Sequence, residues 1–202
     1  LCFDATSLAI IRSWMPMKGE SSSKNYVANR IDSVLRIEKI TKLEAAQCQL
    51  KTACLLFFQT SDSVSVHTLA WAAHEILDQH PKSARSLLFD IANQSPESAK
   101  ACAELTEARN FFKHYHNKPS KAIHLIENLN EWLLIDCGQM YRSITGKGIK
   151  EVVAVSAWVS VRRNLLILDN SVVIEHLRRL NLPKKAFLDT FLSTAEFGPG
   201  FE

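Results

Sequence analysis

The 202-residue sequence predicts an all-α protein, an antiparallel helical bundle with a C-terminal helical extension. Three observations carry that prediction. From Thr41 onward apolar residues recur at three- and four-residue spacing, the period of a helix face. Helix-start signals stand directly ahead of those runs. Only 6 Gly and 6 Pro occur, too few for a turn-rich all-β architecture.

The elements follow in chain order. Thr41-Lys42-Leu43-Glu44 is a capping box, and Leu43, Ala46, Leu50, Ala53, Cys54 and Phe57 after it predict a helix over about 42–59. Asp62 or Ser63 caps a second helix, with Val66, Leu69, Ala70, Ala73, Ile76 and Leu77 on one face and a stop before Pro81. Ser83 to Ala92 holds a short helical pattern around Leu87, Leu88 and Ile91. Ser95-Pro96-Glu97 combines an N-cap, a first-position proline and an acid in the first turn, which predicts a helix running through Arg109 to His116. After Pro119, Ser120 caps a long amphipathic helix carrying Ile123, Ile126, Leu129, Trp132, Leu133 and Met140, ending near Gly146 to Gly148. The β-branched run Val152 to Val161 suits strand or helix and is read as helix. Two further helices, around Ser171 to Leu180 and Lys184 to Thr194, meet at Pro183.

In domain terms the chain divides into residues 1–40, 41–146 and 147–202. The first is poorly patterned, with the polar break Gly19 to Asn25; Leu1 to Pro16 are read as candidate non-native sequence, with Met15 or Met17 as an alternative initiator. The second is the helical bundle, and the third holds C-terminal helices packed on it.

Composition excludes several classes. The longest nearly apolar stretch, Val152 to Val161, is about half the length of a bilayer span, so no membrane association is expected. The 5 Cys form no CxxC pair and are odd in number, which suits reduced thiols in a cytoplasm rather than a disulfide framework. The formal net charge is +3. The excess lies from Arg109 onward, yet it is too mild for a duplex-DNA binder and leaves an RNA contact to a local site.

Chemistry concentrates in one segment, Arg109-Asn110-Phe111-Phe112-Lys113-His114-Tyr115-His116. At 100° per residue Asn110 and His114 share a helix face, and Arg109 and His116 fall about 20° apart beside it. Metal-free RNA cleavage needs a group of near-neutral pKa to move a proton to or from the 2′-hydroxyl or the leaving oxygen, and a fixed cation for the charge of the transition state. His and Arg meet those needs, and Asn orients either one. The candidate catalytic residues are therefore Arg109, Asn110 and His114, with Lys113, His116 and Lys118 as candidate nucleic-acid contacts.

This segment resembles the signature of the HEPN superfamily of small helical bundles: Arg, four to six residues, then His, with a polar residue, often Asn, after the Arg. Arg109-Asn110 with His114 fits the shortest spacing and Arg109 with His116 the longest. The resemblance implies a metal-independent endoribonuclease, or a toxin of a toxin–antitoxin or phage-defence system, with an active site assembled from two motif copies across a homodimer. RNA is then the substrate, and a cognate antitoxin protein a partner. Three blocks, Ile40 to Ala46, Val64 to Ala70 and Asn110 to His114, also resemble a group of uncharacterised bacterial proteins sharing Asn-Phe-Phe-Lys-His, which puts the weight on Asn110, Lys113 and His114.

Other readings of the same residues stay open. The segment also suits a solvated helix end, where cations meet the C-terminal dipole, or a non-catalytic module holding a nucleotide, RNA or protein. Phe111 and Phe112 read as core or dimer contacts. His67, His74 and His80 form neither an HExxH motif nor a set with cysteines at ligand spacing, so no metal is expected. His67 instead reads as a brace for the Asn110 surface. Thr145-Gly146-Lys147-Gly148 lacks P-loop spacing, and no cofactor is expected.

Overall fold

The computed structural model describes residues 38–60, 62–113, 122–163, 171–195 and 197–201, and the architecture below is that of the unit from Ile40 to Glu202. The described residues form eight helices and no strand: α1 (Lys42–Gln59), α2 (Ser63–Asp78), α3 (Leu87–Ala92), α4 (Pro96–Lys113), α5 (Glu127–Thr145), α6 (Lys150–Arg163), α7 (Ser171–Leu180) and α8 (Lys184–Thr194). The protein is all-α, as the periodicity predicts.

Local chemistry fixes the boundaries. The Thr41 hydroxyl accepts from the Glu44 N–H at 3.2 Å and the Glu44 carboxylate accepts from the Thr41 N–H at 2.7 Å, so the capping box is complete. Asp62 caps α2 by accepting from the Ser65 N–H at 3.0 Å. Ser95 does the same for α4 through the Ser98 N–H at 3.1 Å. Gly146, at φ 72°, ends α5 in the left-handed conformation that glycine adopts without strain.

Two starts differ from expectation. α3 opens at Leu87 rather than near Ser83, because its N-terminal amide is fixed by a carboxylate from α5, described below. α5 opens at Glu127, so Ile123 and Ile126 precede it, and the expected cap Ser120 lies outside the described residues. Ala122, Ile123, His124 and Ile126 line a pocket together with Glu104, Glu107 and Ala108 of α4.

One core joins all of these helices. α1 packs along α2, and α2 packs in turn on α5 and α4. α6 is surrounded by α1, α5, α7 and α8, and every residue from Ala154 to Ser160 is buried. Burial on all faces explains why Val152 to Val161 shows no clear amphipathic period in sequence. The two buried serines of α6 satisfy their hydroxyls on the carbonyls of Val152 and Ser156. Phe187 of α8 stacks on Phe58 of α1 at 6.1 Å between ring centres and meets Trp158 of α6 edge-on at 5.2 Å. Among the described residues no helix is long and apolar enough to cross a membrane.

The α5–α6 contact depends on Gly138, where an added Cβ would lie 2.3 Å from Cγ1 of the buried Val152. Gly138→Ala is therefore expected to lower stability by about 1–3 kcal/mol through overpacking. Alanine's helix-propensity advantage of about 1 kcal/mol offsets only part of that. Urea unfolding measures the difference, and a more stable variant would contradict the packing described.

Candidate functional site

α4 lies on α2 through contacts that set the position of its last turns. The Trp71 indole N–H donates to the Leu105 carbonyl at 3.1 Å, and Phe112 meets the buried His67 ring edge-on at 5.7 Å. Trp71 and His67, like Glu75, belong to α2, so one face of that helix carries the end of α4.

On this support three of the predicted residues come together. The Arg109 guanidinium sits 5.3 Å over the Trp71 ring. Its Nε–H donates to Asn110 Oδ1 at 3.1 Å and its Nη1–H to Glu75 Oε1 at 3.3 Å. Lys113, one turn on, donates to the other Glu75 oxygen at 2.7 Å. The Arg109, Lys113 and Glu75 side chains are 29%, 33% and 38% exposed, so the cluster is open to a ligand while its geometry is held. His114, His116 and Lys118 lie outside the described residues. Phe112 turns toward the protein interior, where it contacts His67 and Phe111.

Glu75 and Trp71 are the site residues that sequence reasoning missed. Glu75 stands inside His74-Glu75-Ile76-Leu77-Asp78, which resembles a metal motif but ends in Asp, and its partners are 34 and 38 residues away. Only the α2–α4 packing brings them together.

Two buried polar groups hold α2 to its neighbours beneath this face. In the first, His67 Nδ1 lies 2.9 Å from Asn130 Oδ1, and Asn130 Nδ2 donates to the Ser63 carbonyl at 3.1 Å. That second bond assigns the amide orientation, so Nδ1 carries the proton and donates. The expected hydrogen-bonded brace of the Asn110 surface is thus corrected: His67 bonds to Asn130 of α5 and meets α4 through the Phe112 ring, while Asn110 is held by Arg109. Burial pushes the His67 pKa down, opposed by the Asn130 hydrogen bond and the nearby Leu105 carbonyl. Between its lowered folded pKa and the ordinary value near 6.5, the unfolded chain binds more protons than the folded one. The stabilisation is therefore full above that ordinary value and is lost as the pH falls below it toward the folded pKa. Melting temperature is expected to fall as pH is lowered from 8 to 5, with a shallower fall in His67→Gln; parallel curves would contradict this.

In the second group, Asp136 of α5 accepts from the Ser86 hydroxyl at 2.5 Å and the Leu87 N–H at 2.8 Å, and its Oδ2 lies 3.3 Å from His74 Nε2. A serine, a histidine and an aspartate in contact invite comparison with a hydrolytic triad. The geometry does not fit one. Ser86 and Asp136 meet the same imidazole nitrogen rather than opposite ones, and all three side chains are buried. The group instead caps α3 from a distance.

Among the described residues no group of three His, Cys, Asp or Glu is placed to hold a metal. The described cysteines, Cys48, Cys54, Cys102 and Cys137, are free thiols. Burial, reinforced by the Glu151 charge near Cys54 and the Asp136 charge near Cys137, raises the pKa of both core thiols well above the ordinary range. A cavity of about 550 Å³ lies toward the other end of α2, beside Phe57, Asp62, Asn130, Lys184 and Lys185, and none of the predicted site residues lines it.

No family model matches the chain, and neither a curated protein nor a solved structure matches it. The chemistry of the site therefore rests on its own residues: a fixed guanidinium, an ammonium and an amide on one half-exposed helix face, with a carboxylate between the two cations.

Proposed function

We propose that the chain is a HEPN-like, metal-independent endoribonuclease that acts as a homodimer, in the manner of an RNA-cleaving toxin or defence protein held in check by a cognate antitoxin. The observation that supports this reading most is the Arg109 guanidinium. It is held by Asn110, Glu75 and Trp71 on a half-exposed face, five residues ahead of His114 in the chain. A cation fixed in that way is what a phosphodiester in transition requires, since it needs no reorganisation as charge develops. Lys113, His116 and Lys118 add contacts for neighbouring phosphates.

In the reaction, the 2′-hydroxyl gives its proton to His114 of one copy while its oxygen attacks the adjacent phosphorus. The 5′-oxygen leaves and takes a proton from His114 of the second copy. A 2′,3′-cyclic phosphate and a 5′-hydroxyl result, with no net consumption of protons. Arg109 neutralises the non-bridging oxygens, and Asn110 keeps the guanidinium in register.

A second reading has its own observation. Both Glu75 oxygens are already engaged by Arg109 and Lys113, an arrangement that also suits a non-catalytic module binding RNA, a nucleotide or a protein through the same face. Incubation of the full chain with cellular or synthetic RNA in the presence of EDTA separates the two. Cleavage by the wild type and its loss in His114→Ala and Arg109→Ala support the enzyme; equal activity in wild type and both variants overturns the mechanism; retention of RNA without cleavage favours the module.

A further inference from the structure

A carboxylate is an unexpected neighbour for a site meant to receive phosphate, and Glu75 sits between the two cations that would receive it. Its oxygens are divided, one to Arg109 Nη1 at 3.3 Å and one to Lys113 Nζ at 2.7 Å. This is the donor set that two non-bridging phosphate oxygens would accept from. A simple tie between α2 and α4 does not explain it, because those helices are already joined by the Trp71 to Leu105 hydrogen bond and the His67 to Phe112 contact. A half-exposed ion pair adds little to such a junction.

We propose that Glu75 is a resident stand-in for a substrate phosphate. It keeps Arg109 and Lys113 poised in the phosphate-bound geometry when the site is empty, and it must be displaced when RNA enters. The inference rests on the reading of this face as an RNA site and adds a regulatory element to it. With Glu75 in place the three charged groups sum to +1, and without it the two cations present +2. Wild-type affinity for single-stranded RNA is thereby held down and its salt dependence kept shallow. A bound strand takes over the Lys113 contact first, because the lysine stem is flexible, whereas the guanidinium stays stacked on Trp71.

The test is binding of a short, fluorescently labelled 2′-O-methyl RNA to the full chain, followed by anisotropy over a series of salt concentrations. Methylation removes the nucleophile, so binding is read without cleavage. Glu75→Gln is expected to bind about five- to tenfold more tightly than wild type. Its plot of log affinity against log salt should be steeper by roughly 0.7, the value for one further phosphate contact on a single strand. Glu75→Gln with Lys113→Gln restores the +1 sum and is expected to return to the wild-type range. Should Glu75→Gln fail to fold, Glu75→Asp, whose carboxylate is withdrawn by one methylene, is expected to bind about two- to threefold more tightly. Unchanged or weaker binding by the folded Glu75 variant, with the wild type binding, overturns the stand-in role and leaves the RNA reading intact. Absence of binding by wild type and variants alike overturns both.

Discussion

Asp136→Ala is expected to lower the free energy of unfolding by about 3–5 kcal/mol, since buried donors left without their acceptor cost about 1–3 kcal/mol each. The loss is large because one carboxylate serves three groups. Without it the Ser86 hydroxyl and the Leu87 N–H lose their acceptor and His74 loses its carboxylate neighbour, at positions where His74 and Ser86 are 2% exposed. The effect reaches the candidate site. Phe89 of α3 packs on both His74 and Trp71, and Trp71 carries Arg109. Loosening α3 therefore loosens the platform under the guanidinium. Asp136→Asn keeps an acceptor and much of the shape, and is expected to cost clearly less than the alanine variant. Urea unfolding of the three chains gives the comparison, and a change below about 1 kcal/mol for Asp136→Ala would contradict the capping role.

Arg109→Ala is expected to reduce RNA cleavage by about 10²–10³-fold, the usual consequence of removing one preorganised donor from a developing oxyanion. Stability should change by less than about 1 kcal/mol, since the ion pair with Glu75 is half-exposed. That contrast identifies the residue as part of the site rather than of the fold. Arg109→Lys is not expected to restore activity. One ammonium cannot donate to Asn110, stack on Trp71 in a fixed plane and still present donors to a phosphate at once. Kinetics with thermal melting on the same preparations gives both numbers, and a parallel loss of activity and stability would reduce Arg109 to a structural role.

What could be read from the sequence was whatever depended on neighbours within a turn or two. The capping box at Thr41, the Asp62 cap, the Ser95-Pro96 start, the Gly146 stop and the bounds of α7 and α8 are all set by residues close in the chain, and all are found as predicted. The start of α3 was not legible because a distant group, Asp136, sets it; at α5 the apolar residues Ile123 and Ile126 continue the helical pattern ahead of the helix, so spacing alone places its start too early. The same division runs through the site. Helical spacing brings Arg109, Asn110 and Lys113 together, but nothing local to them signals Glu75 or Trp71, which arrive on another helix. Nothing local to His67 and His74 signals their partners either, since Asn130 and Asp136 lie more than sixty residues downstream.

The chemistry of the cut ends distinguishes a metal-independent His114 site from any other source of cleavage. RNA incubated with the full chain in EDTA should yield fragments ending in 2′,3′-cyclic phosphate and 5′-hydroxyl, and the same incubation with His114→Ala should leave the RNA intact. Fragments bearing 5′-phosphate ends, cleavage that EDTA abolishes, or cutting undiminished in His114→Ala would contradict a metal-independent site built on Arg109, Asn110 and His114.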